Sequence, residues 1–209
     1  MRIAWGSFNI TSSTLINNKV DEVGGVIWSR AESLIEINNS RFINNTAKSY
    51  GGIMFTIHCS THIADSTFQY NSGSLYNFNG NFTFRGQSKF EKCVEPFKTT
   101  STSFTHQEGG AVTSYQSTVV FNGETSIFNN QARQGGAILA IESTITFDGT
   151  IMIANNTAIN SSGGGISLQQ SDLDIKGSCT ISDNYAIRGG GVHAKSSAIS
   201  IHRLGLFGS

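Results

Sequence analysis

One motif recurs at nearly constant spacing along the chain, and this repetition limits the possible folds more than any other feature. An apolar residue and a polar pair ending in asparagine are followed, a few residues later, by two glycines, as in FNNQARQGG (128–136). The asparagines are Asn18, Asn45, Asn71, Asn130, Asn156 and Asn184, at steps of 27, 26, 59, 26 and 28 residues. The longest step covers two repeats, with Cys93 in the missing asparagine position. A fixed period of about 26–28 residues predicts a solenoid of stacked turns.

A second recurring phrase follows the glycines, in which one serine and two apolar residues occupy every second position. It occurs as SLIEI (33–37), STVVF (117–121), STITF (143–147) and SDLDI (171–175). Alternation of this kind places the serine and both apolar residues on one side of a strand. Each repeat therefore holds three short extended segments. We predict an all-β fold, a right-handed single-stranded parallel β-helix of about 7–8 coils, with residues 1–209 as one domain.

The recurring asparagines and glycines are expected to serve the fold before any other function. Stacked turns place equivalent residues ~4.8 Å apart, so the asparagines should form a ladder of hydrogen-bonded side-chain amides. Asparagine also tolerates the left-handed backbone of a corner, and we assign both tasks to the same residue. The paired glycines should form corners where neighbouring turns approach closely. The main members of this glycine set are Gly51, Gly52, Gly109, Gly110, Gly135, Gly136, Gly189 and Gly190.

A leucine-rich repeat is the competing architecture, because its period of about 20–29 residues overlaps and it also uses an asparagine. Its L-x-x-L-x-L framework is missing here, and glycine pairs stand where its helix would run. The sequence therefore favours the β-helix.

Composition excludes several classes of function. Charged residues are 13% of the chain and the net charge is zero, so no basic surface for nucleic acid is expected. No apolar run approaches the ~18 residues that span a bilayer, and no signal peptide is visible. The three cysteines, Cys59, Cys93 and Cys179, are widely spaced and lack a CxxC pattern. We expect no cofactor, no metal site and no membrane span in this chain.

The strongest candidate for catalysis is the pair Asp172 and Asp174 in SDLDI. Two positions apart on a strand, they point the same way with Cα atoms ~6.6 Å apart, a separation compatible with a glycosidase pair. The repeats align them with Thr144 and Thr146, and no lysine or arginine falls in these columns. This arrangement favours two solvated surface aspartates. The five histidines do not share a column, which disfavours a metal cluster.

A candidate binding site lies in the segment 94–108, where one repeat is about ten residues longer than its neighbours. Insertions in repeat proteins often map to loops on the binding face. Phe97 and Phe104 are the expected apolar anchors, framed by Lys98 and His106. The alternative is that both rings cover the irregular coil that lacks its asparagine.

The phrases GGAI (135–138) and F-x-x-N (Phe42–Asn45, Phe68–Asn71) resemble the repeats of the chlamydial polymorphic outer membrane proteins. The resemblance extends over nearly the whole chain. It implies a right-handed β-helix that forms the surface-exposed part of an autotransporter and takes part in adhesion. Because no signal peptide or membrane-anchoring region is visible, it implies a section, or a relative, of such a protein.

Three functional hypotheses follow. The first is a structural and adhesive rod segment at the cell surface or outside the cell, presenting loops to a host or neighbouring-cell protein or glycan. The second is a carbohydrate-active β-helix enzyme, a polysaccharide lyase or glycoside hydrolase, that uses Asp172 and Asp174. The third is a repeat fragment without activity of its own. Open β-helix ends would also permit self-association, since they expose unpaired backbone groups.

Overall fold

The structure is a computed structural model, and it describes residues 1–95 and 109–202. Within these ranges it consists of short β strands and connecting turns, with no helix. Most strands belong to three parallel sheets that run the length of the molecule. The predicted all-β class is confirmed.

The first sheet has eight strands, in the order Arg2–Ala4, Ile27–Arg30, Met54–Ile57, Leu75–Phe78, Val112–Tyr115, Ile138–Ile141, Ile166–Gln169 and Val192–Lys195. The second sheet has eight, in the order Ser7–Thr11, Leu34–Asn38, Ser60–Ala64, Asn81–Arg85, Thr118–Phe121, Thr144–Phe147, Asp172–Ile175 and Ala198–Ile201. The third sheet has seven, in the order Thr14–Ile16, Arg41–Ile43, Thr67–Gln69, Gln87–Glu91, Glu124–Phe128, Thr150–Ala154 and Ser178–Ser182. Two small parallel pairs join Lys19–Val20 to Thr46–Ala47 and Gln131–Ala132 to Thr157–Ala158.

The chain visits the three sheets in turn and then returns to the first, so each circuit adds one strand to each sheet. The result is a parallel β-solenoid of about seven turns. The predicted architecture of three short strands per coil is confirmed. The leucine-rich repeat is excluded, because its helix has no counterpart in residues 1–95 and 109–202.

The core is formed by the inward residue of each strand, stacked from turn to turn. In Asp172–Ile175, for example, Leu173 and Ile175 point inward while Asp172 is exposed. Phenylalanine stacks run through the centre: Phe42–Phe68 and Phe68–Phe90 lie 5.0 and 4.6 Å apart between ring centroids. Each fully buried phenylalanine stabilises the fold by about 1.5–3 kcal/mol relative to an exposed ring.

The corner before the first sheet shows why two glycines recur. Gly135 has φ 59°, a left-handed conformation that favours glycine, and a Cβ there would lie 2.3 Å from the carbonyl oxygen of Ile138 in the same turn. Gly136 has a different constraint: a Cβ there would lie 2.2 Å from the carbonyl oxygen of Gly164 in the next turn. The first glycine therefore permits the bend, and the second permits close stacking.

The corner between the first and second sheets is built from the serine that opens the second phrase. The backbone N–H of Ser117 donates to Ser143 Oγ at 3.1 Å, and that of Ser143 to Ser171 Oγ at 3.0 Å. The Ser143 hydroxyl in turn donates to the Ile141 carbonyl at 2.7 Å. Cys59 occupies the same position two repeats before Ser117, with Sγ 3.1 Å from the Ile57 carbonyl oxygen. The serine is thus buried on the same side as the apolar residues of the phrase, as predicted.

In the ranges that the structure describes, we find no apolar helix of membrane-spanning length.

Candidate functional site

The recurring asparagines form a hydrogen-bonded stack at the corner that follows the third sheet. Asn156 shows the full pattern: its Oδ1 accepts from both the backbone N–H and the Nδ2 of Asn130, each at 3.0 Å. Its own Nδ2 donates to Asn184 Oδ1 at 3.0 Å and to the Ile127 carbonyl at 2.9 Å. The donor and acceptor capacity of a buried amide is therefore used along the axis. The same stacking joins Asn18 to Asn45 and Asn45 to Asn71.

The two asparagines of each pair have separate tasks, which corrects the assignment of both tasks to one residue. The first asparagine takes the left-handed backbone, with φ 53° at Asn44 and 54° at Asn155. The second, in the stack, has no such strain. The bend position also accepts Tyr70 and Lys92, with φ 56° and 53°. The bend therefore tolerates several side chains, whereas the stack holds an asparagine at six of its seven described positions.

Cys93 occupies the gap in the asparagine stack. Its backbone N–H donates to Asn130 Oδ1 at 2.8 Å, as an asparagine would, and its Sγ lies 4.0 Å from Asn71 Nδ2. Burial raises the pKa of the Cys93 thiol to about 11, against a smaller opposing effect of hydrogen bonds from Asn71. A buried neutral thiol of this kind is a packing group and not a nucleophile.

The candidate catalytic pair has ion-pair partners that the sequence analysis did not assign. Asp172 and Asp174 align with Thr144 and Thr146, as the repeat predicted. However, Lys176 Nζ lies 3.3 Å from Asp174 Oδ2, and His202 Nε2 lies 2.8 Å from Asp174 Oδ1. Lys176 and His202 lie in the next outward column, two positions after Asp174 and Ser200. The comparison of the two aspartate columns therefore did not reveal them. Asp172 remains exposed, and its Oδ1 accepts one long hydrogen bond, at 3.4 Å, from the backbone N–H of Ala198, so it is held less firmly than Asp174.

The structure describes four of the five histidines, but it does not describe the predicted binding residues of the insertion. No group of three or more His, Cys, Asp or Glu residues that could hold a metal ion occurs in residues 1–95 and 109–202. The predicted binding residues Phe97, Lys98, Phe104 and His106 lie outside the described residues.

The residue that precedes the undescribed part of the insertion is a buried carboxylate. Glu95 is 6% exposed and accepts a short hydrogen bond from the backbone N–H of Arg133. Burial raises the pKa of Glu95, while the hydrogen bond and the charge of Arg133 act in the opposite direction. The sequence pattern gave no indication of this site, because Glu95 belongs to the irregular repeat.

The outer side of the first sheet carries aromatic residues in consecutive turns. We define the aromatic face as Trp28, Phe55, Tyr76, Phe78 and Tyr115, all of which are half-buried. Trp28, Phe55 and Tyr76 share one register column, and Phe78 pairs with Tyr115 in the next outward column. Outward positions of a strand usually hold polar residues, so an aromatic column at these positions is a candidate interaction surface.

The rings of the aromatic face stack on one another along the axis. Phe55 and Tyr76 lie 5.0 Å apart with an angle of 26° between their planes, and Phe78 and Tyr115 lie 5.1 Å apart at 10°. The guanidinium of Arg2 lies 4.4 Å above the Trp28 ring. At least one flat side of each ring is therefore covered by a neighbour in the same molecule, and ring edges face away from the sheet.

The aromatic face was not predicted, because the recurring asparagine, glycine and serine motifs do not include the strands of the first sheet. The available signal was in MFTI (54–57) and LYNF (75–78), where the outward positions are all apolar or aromatic and the inward positions also include Met54 and Leu75. Such strands are covered on both faces or carry a binding surface.

No family model, curated protein or solved structure matches this chain. The structure shows a parallel β-solenoid of about seven turns, and no match confirms the finer resemblance to the repeats of chlamydial polymorphic outer membrane proteins.

Proposed function

We propose that this protein is a structural and adhesive module at the cell surface or outside the cell, and that its aromatic face binds a protein partner. A parallel β-solenoid is consistent with a structural repeat protein. The observation that carries the proposal is the aromatic face itself, which places Trp28, Phe55 and Phe78 at outward positions of consecutive turns.

The packing of these rings favours a protein partner over a glycan. Aromatic residues that bind sugars offer a flat ring face, whereas here neighbouring rings cover at least one face each. Ring edges and the nearby arginines Arg2 and Arg30 are the groups that remain for contact. Tyrosine, tryptophan and arginine are the residues that most often dominate the binding energy of protein interfaces.

The aromatic face is small. From Trp28 to Tyr115 it covers three steps between turns, or about 14 Å along the axis. A stable protein interface buries about 800 Å² on each partner, which is more than a stripe of this length supplies. We therefore expect weak binding by a single module and stronger retention where many copies act together.

The test is retention of protein-coated beads on two surfaces, a panel of immobilised extracellular matrix proteins and a panel of immobilised glycans. The double variant Phe55→Ser and Phe78→Ser should reduce retention on the protein panel by roughly tenfold or more, as expected when interface anchors are removed. The matched control is Met152→Ser, which removes an exposed apolar side chain from the third sheet. Retention on glycans alone, or equal loss in both variants, would contradict the proposal.

A further inference from the structure

Two arginines approach the Trp28 ring of the aromatic face. The guanidinium carbon of Arg2 lies 4.4 Å from the ring centroid, and that of Arg30 lies 5.3 Å from it. Arg2 is the register partner of Trp28 in the neighbouring turn, and Arg30 follows Trp28 on the same strand, Ile27–Arg30. Both arginine side chains are exposed. The aromatic face therefore has two positive charges beside one of its rings.

Neither of these charges is neutralised by a carboxylate in residues 1–95 and 109–202. The ion pairs found there use lysine or histidine as the cation, and no carboxylate oxygen lies within 4.0 Å of either guanidinium. A guanidinium that lies over an indole ring can still donate from its N–H groups, which form a planar fork. Arg30 therefore keeps hydrogen-bond donors whose geometry fits a carboxylate.

The outward column that contains Arg30 continues with apolar and aromatic residues. Arg30 pairs with Ile57, Ile57 with Phe78, and Phe78 with Tyr115. All three of these residues are half-buried. Because consecutive turns lie ~4.8 Å apart, a segment along this column would pass from one cation to three apolar or aromatic side chains within about 14 Å.

The charge of Arg30 discriminates between the segments that could lie on this column. A purely apolar segment would cover the guanidinium without pairing it, which costs free energy. A basic segment would be repelled by it. A segment with an Asp or Glu at this point would accept charge-assisted hydrogen bonds from the guanidinium. Charge complementarity thus favours an acidic partner.

We propose that the protein partner of the aromatic face presents an acidic segment, in which an Asp or Glu carboxylate pairs with Arg30 while neighbouring apolar side chains pack on Ile57, Phe78 and Tyr115. This inference rests on the proposed function and adds the chemistry of the partner to it. Since Arg30 is exposed at the edge of the face, the pair should act mainly on the rate of association and on the salt dependence of binding.

The test repeats the bead-retention assay on the panel of extracellular matrix proteins, before and after their carboxylates are converted to neutral amides with a carbodiimide and ethanolamine. Amidation should reduce retention of the wild type by about threefold or more, because each exposed ion pair contributes modestly and many copies act together. Arg30→Gln should show the same loss on the untreated panel and no further loss on the amidated panel. The matched control is Arg41→Gln, which removes an exposed arginine from the third sheet and should leave retention at the wild-type level.

The outcomes separate this inference from the proposed function. If Phe55→Ser with Phe78→Ser reduces retention while amidation and Arg30→Gln do not, the acidic partner is wrong and the aromatic face is still the binding surface. Equal losses in Arg30→Gln and Arg41→Gln would show a general effect of positive charge and would also overturn the pairing with Arg30. A wild-type protein that is not retained on the untreated panel would overturn both proposals.

Discussion

At the scale of single residues, the paired asparagines show how one recurring dipeptide satisfies two different requirements. Asn155 bends the backbone, and Asn156 carries the hydrogen bonds between turns. The first requirement is conformational, and Tyr70 and Lys92 meet it in other turns. The second is chemical, since a buried amide must both donate and accept. We therefore expect the second position to be much more sensitive to substitution.

Asn156→Leu should destabilise the protein by about 1–3 kcal/mol, because the N–H groups of Asn130 would lose a buried acceptor. The measurement is the free energy of unfolding from reversible urea denaturation. The matched control is Asn155→Leu, which removes the exposed neighbour that only bends the backbone. Equal losses in the two variants would show that the stack contributes no specific stability.

Thr125→Val should be neutral or slightly stabilising under the same conditions. Thr125 is 1% exposed, and its hydroxyl has no hydrogen-bond partner among the described residues. Replacing such a hydroxyl by a methyl group of similar shape removes a desolvation cost. A loss of more than about 1 kcal/mol would indicate a buried water that bonds this hydroxyl.

Glu95 should make stability fall as the pH rises. Its pKa is raised in the folded protein, mainly by burial, so the folded state holds the proton more tightly than the unfolded chain. The resulting contribution is fully present below the ordinary glutamate pKa of 4.5 and is lost as the pH rises through the folded value. Glu95→Gln should flatten this part of the curve of unfolding free energy against pH. A curve of unchanged slope would contradict the prediction.

At the scale of elements, strand and corner positions could be predicted from the sequence, whereas the use of the outward positions could not. The period located the asparagine stack and the paired glycines, since these residues meet backbone requirements that recur in every turn. Trp28 and Phe55 meet no such requirement, so they are not part of the recurring motifs. The contacts of Asp174 were missed for a similar reason, because Lys176 and His202 occupy another column.

Gly136→Ala should destabilise the corner by about 1–3 kcal/mol, the usual effect of overpacking. The new Cβ would lie 2.2 Å from the Gly164 carbonyl oxygen, and backbone atoms cannot move aside as a flexible side chain can. The control is Gly6→Ala, where a Cβ would meet no atom within 4 Å. Thermal unfolding followed by circular dichroism compares the two. Equal melting temperatures would show that the corners can separate without cost.

At the scale of the whole molecule, the proposed function depends on the side chains that the solenoid carries on its outward surfaces. These outward positions include the aromatic face and, on the second sheet, the ion-paired Asp174 beside the exposed Asp172. Rods of this kind hold surface groups at fixed spacing, because each turn is hydrogen-bonded to the next over three sheets.

The enzyme hypothesis predicts that Asp172 and Asp174 cleave polysaccharides, whereas the adhesive proposal predicts no cleavage. We expect no depolymerisation when the protein is incubated with a panel of soluble polysaccharides and reducing ends are measured. If cleavage occurs, Asp172→Asn combined with Asp174→Asn tests the pair, with Thr144→Asn as a control in the adjacent strand. Cleavage that the double variant abolishes and the control retains would replace the adhesive proposal.

The constant register of the three sheets has a consequence for how such a protein can change over evolutionary time. Loss or gain of a single residue within a strand exchanges its inward and outward side chains, and the core of that turn is destroyed. Loss of a full repeat, such as residues 131–156, instead rejoins Asn130 to Thr157 and leaves every column in step. Unequal recombination between repeats therefore yields folded products that differ only in their length along the axis, in increments of about 4.8 Å for each turn. The length of the molecule can be inherited as a variable trait, while the surface of each remaining turn is passed on unchanged.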